Sequence, residues 1–199
     1  IVITGDFMTY RVQEDLHVAG ETLGQLHAPD GVYFVPGNHD YMEDNLVPEL
    51  RKILPAAGIQ DLSNRVHTIT RSRLLRKSHL HIAGVDDLVA RQARLDQVLD
   101  SLPDDGAAIL LAHEPDFADM VAPYDRIDLQ LSGHSHGGQL RVPFYGTLYG
   151  PQHGLRYSAG LYDVDDLKLY VNVGLGTVTL PIRFNCRPEI TLITLRQGE

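Results

Sequence analysis

Histidines in two short glycine-flanked motifs carry the strongest chemical signal in this sequence. The motifs are Gly37-Asn38-His39-Asp40 and Gly133-His134-Ser135-His136. His113 ends the apolar run 107–112, and Asp6 follows the apolar run 1–4. Such runs predict buried strands, so their polar ends are expected at a sheet edge where loops build sites. Asp, Asn and His together offer the oxygen and nitrogen ligands that suit Mn, Fe or Zn and that two-metal hydrolytic sites use.

Each of these residues also has an ordinary structural explanation. Asp6 fits a turn after a strand, and a histidine such as His113 often ends a strand in a hydrogen bond. The ordered combination favours a metal site. Within it, His39 adjoins Asn38 and cannot easily bind the same face of a metal, so we predict that it donates a proton. Asp40 is expected to hold its other ring nitrogen.

Composition excludes several classes of protein. The 199 residues carry a net charge of −9, which argues against specific nucleic-acid binding. The single cysteine, Cys186, excludes an internal disulfide and a cysteine-based zinc cluster. No run of 18 apolar residues or secretion signal is visible. The chain is therefore predicted to be soluble as given, and both a cytoplasmic location and one at the membrane surface stay open.

Segments typical of strands and helices alternate along the chain. Predicted strands are 1–4, 31–35, 65–70, 79–85, 107–112 and 127–132. Predicted helices are 11–27, 44–56, 88–102 and a short one near 116–122. Short segments after residue 138 predict an antiparallel β half: 139–143, 155–162, 167–173 and 189–196. The pattern predicts an α/β fold with two packed β-sheets flanked by helices, in a single domain spanning 1–199.

One loop stays ambiguous at this level. Gly84-Val85-Asp86-Asp87 follows a predicted strand. Either aspartate could shape a pocket, although a surface turn is the favoured interpretation.

The ordered motifs resemble those of the calcineurin-like metallophosphoesterases over nearly the whole chain. Gly-Asp, Gly-Asn-His-Asp, a strand-end His and Gly-His-x-His follow one another in that family's order. Residues 109–116, 129–139 and 188–192 are similar to its bacterial branch of small, often membrane-associated phosphodiesterases. The resemblance implies a four-layer α/β/β/α sandwich and a metal-dependent phosphoesterase, above all a phosphodiesterase.

The resemblance also implies roles for individual residues and a class of substrate. Asp6 would bridge two divalent metals, Asn38, His113 and His134 would complete the second site, and His136 would serve the first. A metal-held hydroxide would attack phosphorus while His39 protonates the leaving oxygen. Nucleotide-sugar lipids, cell-envelope phosphoesters and simple phosphodiesters all stay open as substrates.

One departure from the family pattern shapes the remaining expectations. The family's Asp-x-His motif, which precedes Gly-Asp, does not occur there in this sequence. The similar triplet Asp15-Leu16-His17 lies in a predicted helix, where residues two apart do not share a face. We therefore expect an N-terminally incomplete domain with its first strand missing, a weak first metal site, and an exposed strand 1–4 through which copies can associate. The alternative is a metal-binding but catalytically weak remnant with an assembly or regulatory role.

Overall fold

The computed structural model describes residues 1–8, 13–43, 45–73, 76–147 and 150–196. The helices are α1 (Gln13–Leu23), α2 (Leu46–Ala56), α3 (Leu95–Ser101) and α4 (Ala118–Val121). The first strands are β1 (Val2–Ile3), β2 (Val32–Phe34), β3 (Ile59–Asp61), β4 (Arg65–Arg73), β5 (Arg76–Gly84) and β6 (Ala107–Leu111). The remaining strands are β7 (Leu129–Ser132), β8 (Arg141–Val142), β9 (Gly146–Thr147), β10 (Gly160–Val164) and β11 (Leu167–Val171).

Two main sheets organise these strands. A three-stranded parallel sheet has the order β1-β2-β3, and a six-stranded sheet has the order β10-β11-β7-β6-β5-β4. Strands β11, β7, β6 and β5 are mutually parallel, whereas the two outer strands run antiparallel to their neighbours. The carboxyl ends of the parallel strands therefore meet at one edge, where binding sites of such sheets form.

Side-chain alternation along β2 explains why the first sheet is covered on both faces. Val32 and Phe34 pack outward against α1 and α2, in a cluster with buried Leu50 of α2. Tyr33 and Val35 point the other way, into a cluster shared with the second sheet. This period of two is the geometry of an extended chain with two buried faces.

The second sheet repeats the pattern. Ile109 and Leu111 of β6 face the first sheet, while Ala108 and Leu110 face the opposite side with Val98 of α3. Helix, sheet, sheet and helix are thus stacked in four layers, which confirms the predicted sandwich. Full burial of one large apolar side chain, such as Leu110, stabilises the fold by about 1.5–3 kcal/mol.

The predicted helix 88–102 is wrong in its first half, because α3 begins only at Leu95. Arg91 has a left-handed backbone with φ of 60°. The amide groups of Gln92 and Ala93 donate to the Asp87 carbonyl instead of to a helical partner. Helices α1 and α2 are also shorter than 11–27 and 44–56, although residues 11, 12 and 44 lie outside the described part of the chain.

The antiparallel half after residue 138 is only partly correct. Strands β8–β9 and β10–β11 are antiparallel pairs, but β11 joins the main sheet parallel to β7. The predicted strand 189–196 forms no ladder among the described residues. Both edges of β11 are already occupied, so this segment is anchored mainly by side chains, such as Glu189 to the Tyr170 hydroxyl at 2.5 Å.

Helix length bears on membrane insertion. Within the described ranges, no helix is long and apolar enough to cross a bilayer.

Candidate metal centre

Polar side chains from both sheets meet at the carboxyl edge. Asp6 follows β1 and Asn38 begins the tight turn after β2, so these two belong to the first sheet. His113 follows β6 and His134 follows β7, so these two belong to the second. The sandwich therefore brings together groups that are far apart in sequence.

Three of these side chains surround one atom, His113 Nε2. It lies 3.1 Å from Asp6 Oδ2, 3.2 Å from Asn38 Oδ1 and 3.1 Å from His134 Nδ1. Asp6, His113 and His134 form a cluster whose ligand atoms all lie within 4.8 Å of one another. Apart from its close approach to His113 Nε2, the buried Asp6 Oδ2 atom has no hydrogen-bond partner among the described residues.

Hydrogen bonds on the far side of each ring orient the two histidines. His113 Nδ1 lies 2.6 Å from the Thr4 carbonyl oxygen, and His134 Nε2 lies 2.7 Å from that of Gln152. A carbonyl can only accept, so each of these ring nitrogens carries its proton outward. The lone pairs of His113 Nε2 and His134 Nδ1 are then available on the inner side.

Acceptor atoms crowded in this way fit a divalent cation. Two atoms bound to one cation at about 2.0–2.2 Å lie roughly 3–3.5 Å apart, and the three distances from His113 Nε2 fall in that range. The donor set of Asp6, Asn38, His113 and His134 suits Mn, Fe or Zn. The outward ring bonds are the support that metal-binding histidines usually have.

The buried ionisable groups of the cluster also shift one another's pKa values. Burial opposes ionisation of Asp6 and His113, but their mutual attraction reverses that effect. It holds the pKa of Asp6 well below its usual range and raises the pKa of His113 to about 10. Burial and the charge of His113 lower the pKa of His134 to about 4. Asp6 and His113 therefore each favour the charged form of the other.

The predicted contact between Asp40 and the His39 ring is wrong. The Asp40 carboxylate accepts backbone N–H groups from Asp6 at 3.0 Å, Phe7 at 2.9 Å and Gly37 at 2.9 Å. Adjacent residues of a 3₁₀ turn point about 120° apart, so Asp40 turns inward while His39 turns elsewhere. Burial raises the pKa of Asp40 to about 7, against the opposing effect of the Gly37 N–H.

His39 itself lies beside the cluster. Its backbone N–H donates to Asp6 Oδ1 at 2.9 Å. Its Nδ1 atom is buried and has no hydrogen-bond partner in the described part of the chain. The ring is therefore not committed to a structural contact through that nitrogen.

His136 lies close enough to interact electrostatically with Asp6, but it is not part of the close cluster. Burial and the nearby Arg183 charge lower its pKa, and its buried Nδ1 has no partner among the described residues. The structure thus places His136 near the site in surroundings that favour its neutral ring. His17 is exposed on α1, and the side chain of Asp15 lies outside the described part.

Sequence reasoning misplaced the 84–87 loop. Asp86 is 5% exposed and Asp87 is fully buried, so neither lies in a surface turn. Asp86 binds Tyr41 and Arg51. No local pattern marks such contacts, because Tyr41 ends the turn after β2 and Arg51 lies in α2, both beside the other sheet.

Comparisons with known proteins agree with this geometry. The model of the calcineurin-like phosphoesterase family matches residues 1–138. The metallophosphoesterase YkuE of Bacillus subtilis is 38% identical over 197 residues, which cover 98% of this chain and 67% of YkuE. The phosphodiesterase YaeI of Escherichia coli is 30% identical over 200 residues, which cover 98% of this chain and 69% of YaeI.

Further similarities are more distant or cover longer proteins. A transmembrane protein with metallophosphoesterase domain from Danio rerio is 35% identical over 208 residues, which cover 100% of this chain but 46% of that protein. The structure of the sulfate thiohydrolase SoxB from Thermus thermophilus matches with a TM-score of 0.50 and 13% identity, over 78% of this chain and 29% of SoxB. SoxB shows a shared fold alone. Because the family model covers more than half of the chain and YkuE is similar over nearly all of it, the protein belongs to the calcineurin-like phosphoesterase family.

Proposed function

We propose that the protein is a metal-dependent phosphoesterase that hydrolyses phosphodiesters. The observation that carries this proposal is the convergence of Asp6, Asn38 and His134 on His113 Nε2, with both ring N–H groups directed outward. YaeI is named a phosphodiesterase, which supports a diester substrate.

Asp6, Asn38, His113 and His134 would hold one divalent cation, and His136 would serve a second together with Asp6. A bound cation would supply Lewis acidity, neutralising phosphate oxygens and lowering the pKa of a water molecule. Mn, Fe and Zn all stay open, since the same ligands suit each of them.

His39 would give a proton to the leaving oxygen. Its backbone is fixed to Asp6, while its ring Nδ1 has no partner in the described residues. Asp40 acts beneath it by fixing the turn to the Gly5-Asp6 loop through three N–H groups. His39 would therefore act on the substrate, while Asp40 fixes the backbone of the turn that carries it.

The variant His39→Asn tests this assignment. It should keep its metal and lose about 10²–10⁴ in turnover of bis(p-nitrophenyl) phosphate, the usual range for general acid–base help. His17→Asn is the matched control, because His17 is exposed on α1. Metal analysis and kinetics are run on the same samples. Loss of metal in proportion to activity would make His39 a ligand and would contradict the proposed role.

The substrate class is the least constrained part of the proposal. Nucleotide-sugar lipids and cell-envelope phosphoesters are the candidates, and the membrane-protein name of the Danio rerio relative supports a site of action at the membrane surface. The first measurement compares an aryl phosphodiester with the matching monoester. Faster turnover of the monoester would overturn the diester assignment.

A second candidate is a metal-binding but catalytically weak domain with an assembly or regulatory role. It is favoured by one observation: in the described ranges, Asp6, His113 and His134 form the one close cluster of three metal-ligating side chains, and His136 is outside it. Its assembly would use β1, the edge strand of the first sheet, where Val2 is 36% exposed. One metal per chain, negligible turnover and self-association in light scattering would favour this candidate over the enzyme.

A further inference from the structure

The elements around the metal centre form two halves: the first sheet with α1 and α2, and the second sheet with its loops. Asp86 is a buried carboxylate that joins these two halves. It follows β5 and therefore belongs to the second sheet. It accepts the Tyr41 hydroxyl at 2.7 Å and the Arg51 guanidinium at 2.6 Å, and both partners belong to the first half. Arg51 is in turn bound to Asp61 at the end of β3.

Tyr41 is the last residue of the turn 38–41 that carries Asn38 and His39. Burial and the Asp86 carboxylate raise the pKa of Tyr41 well above its ordinary value, so its hydroxyl stays a donor. The end of the turn is therefore tied to the second sheet by a short, charge-assisted hydrogen bond.

Of the other side-chain bonds of the turn, Asn38 meets His113 Nε2 at 3.2 Å within the metal centre itself, and those of Asp40 run within the first half. Asp40 holds Gly37, Asp6 and Phe7, all of which lie around β1 and β2. His113 and His134 come from the second half. The position of His39 relative to these two ligands thus depends on contacts that cross between the sheets, and Tyr41 to Asp86 is such a contact within the turn itself.

We propose that Tyr41 and Asp86 are positioning residues that hold the His39 turn in register with His113 and His134. This inference rests on the proposed function, because it assumes that His39 serves turnover. A misplacement of about 1 Å can cost about 10²-fold in rate. The Asp40 contacts keep Asn38 near Asp6, so metal binding should survive loss of the Tyr41 bond.

Tyr41→Phe in the full chain is the primary test, since it removes only the hydroxyl. We expect kcat for bis(p-nitrophenyl) phosphate to fall about tenfold or more, with KM and metal content within about twofold of wild type. Amide hydrogen exchange of residues 36–43 should accelerate in the same variant. Asp86→Asn, which keeps the shape of the side chain, should act in the same direction.

Tyr157→Phe is the matched control. Tyr157 donates to Asp119 at 2.9 Å, and Asp119 also binds Arg156 at 2.6 Å. This triad has the same composition but lies away from the turn, between the 155–158 segment and α4. The control should leave kcat and the exchange of 36–43 unchanged.

A double variant separates positioning from general stability. If Tyr41 acts through His39, adding Tyr41→Phe to His39→Asn should cause little further loss of kcat. Full additivity, or a variant that lowers Tm but leaves kcat and exchange unchanged, would overturn the proposal. If the wild type shows no turnover at all, the proposed function fails, while faster exchange of 36–43 in Tyr41→Phe alone would still establish the tie between the sheets.

Discussion

Replacing Gly37 by alanine should disable the metal centre through a single methyl group. Gly37 has φ of −119° and ψ of 176°, an extended conformation that alanine adopts without strain. A Cβ atom built there lies 2.6 Å from the Asp6 backbone nitrogen and 2.6 Å from His113 Cε1. Ordinary contact begins at 3.4 Å, so the two ligand-bearing residues must separate from the turn by about 0.8 Å.

The magnitude of the effect follows from this displacement. Overpacking a filled site costs about 1–3 kcal/mol of folding stability. A shift approaching 1 Å also moves Asp6 and His113 out of common reach of Asn38. We therefore expect Gly37→Ala to fold with a reduced Tm, to bind Mn²⁺ at least tenfold more weakly and to lose about 10² in kcat.

Thermal unfolding, calorimetric titration with Mn²⁺ and turnover of bis(p-nitrophenyl) phosphate measure the three effects on one preparation. Gly176→Ala is the control, because a Cβ at that position meets nothing within 4 Å. It should match the wild type in all three measurements. Wild-type Mn²⁺ affinity and turnover in Gly37→Ala would refute the argument that the ligands are packed directly against this glycine.

Three further predictions concern the proposed ligands themselves. Asn38→Ala or His134→Ala should lower metal content far more than His17→Ala does, and equal loss in the His17 variant, measured by elemental analysis, would mean that α1 supplies a ligand. Burial lowers the pKa of His113, but the Asp6 carboxylate outweighs burial and raises this pKa to about 10. A cation must therefore displace a proton from His113 in order to bind. The apparent affinity for Mn²⁺ should rise about tenfold per pH unit up to about pH 10, and a pH-independent Kd would contradict this. In the metal-free protein, the stabilisation from this raised pKa is complete below pH 6.5 and is lost as pH rises through about 10, so its Tm should fall over that window.

The sandwich could be predicted from the sequence because its strands are buried on both faces. The run 107–112 is apolar at every position, and the structure buries its alternate residues in two different clusters. Periodicity reports burial and spacing, which are local properties. It therefore located β2, β6 and β7 and the strand-end residues that follow them.

Contacts between side chains from different elements could not be predicted in this way. Asp40 follows His39 directly, and that adjacency suggested a contact that the turn prevents. The partners of Asp86, namely Tyr41 and Arg51, lie 45 and 35 residues away in sequence. The extended segment 189–196 has the composition of a strand, but strand formation also needs a free edge, which composition does not report.

The backbone at the proposed ligands shows a further property that a sequence pattern hides. Asp6, His134 and His136 have φ values of 56°, 63° and 50°. L-residues other than glycine rarely adopt this left-handed region, and each such residue costs of order 1 kcal/mol. At Asp6 and His134 the reversal comes just past a strand end and accompanies a side chain aimed at His113 Nε2. The same conformation that costs folding energy therefore accompanies the convergence of these proposed ligands.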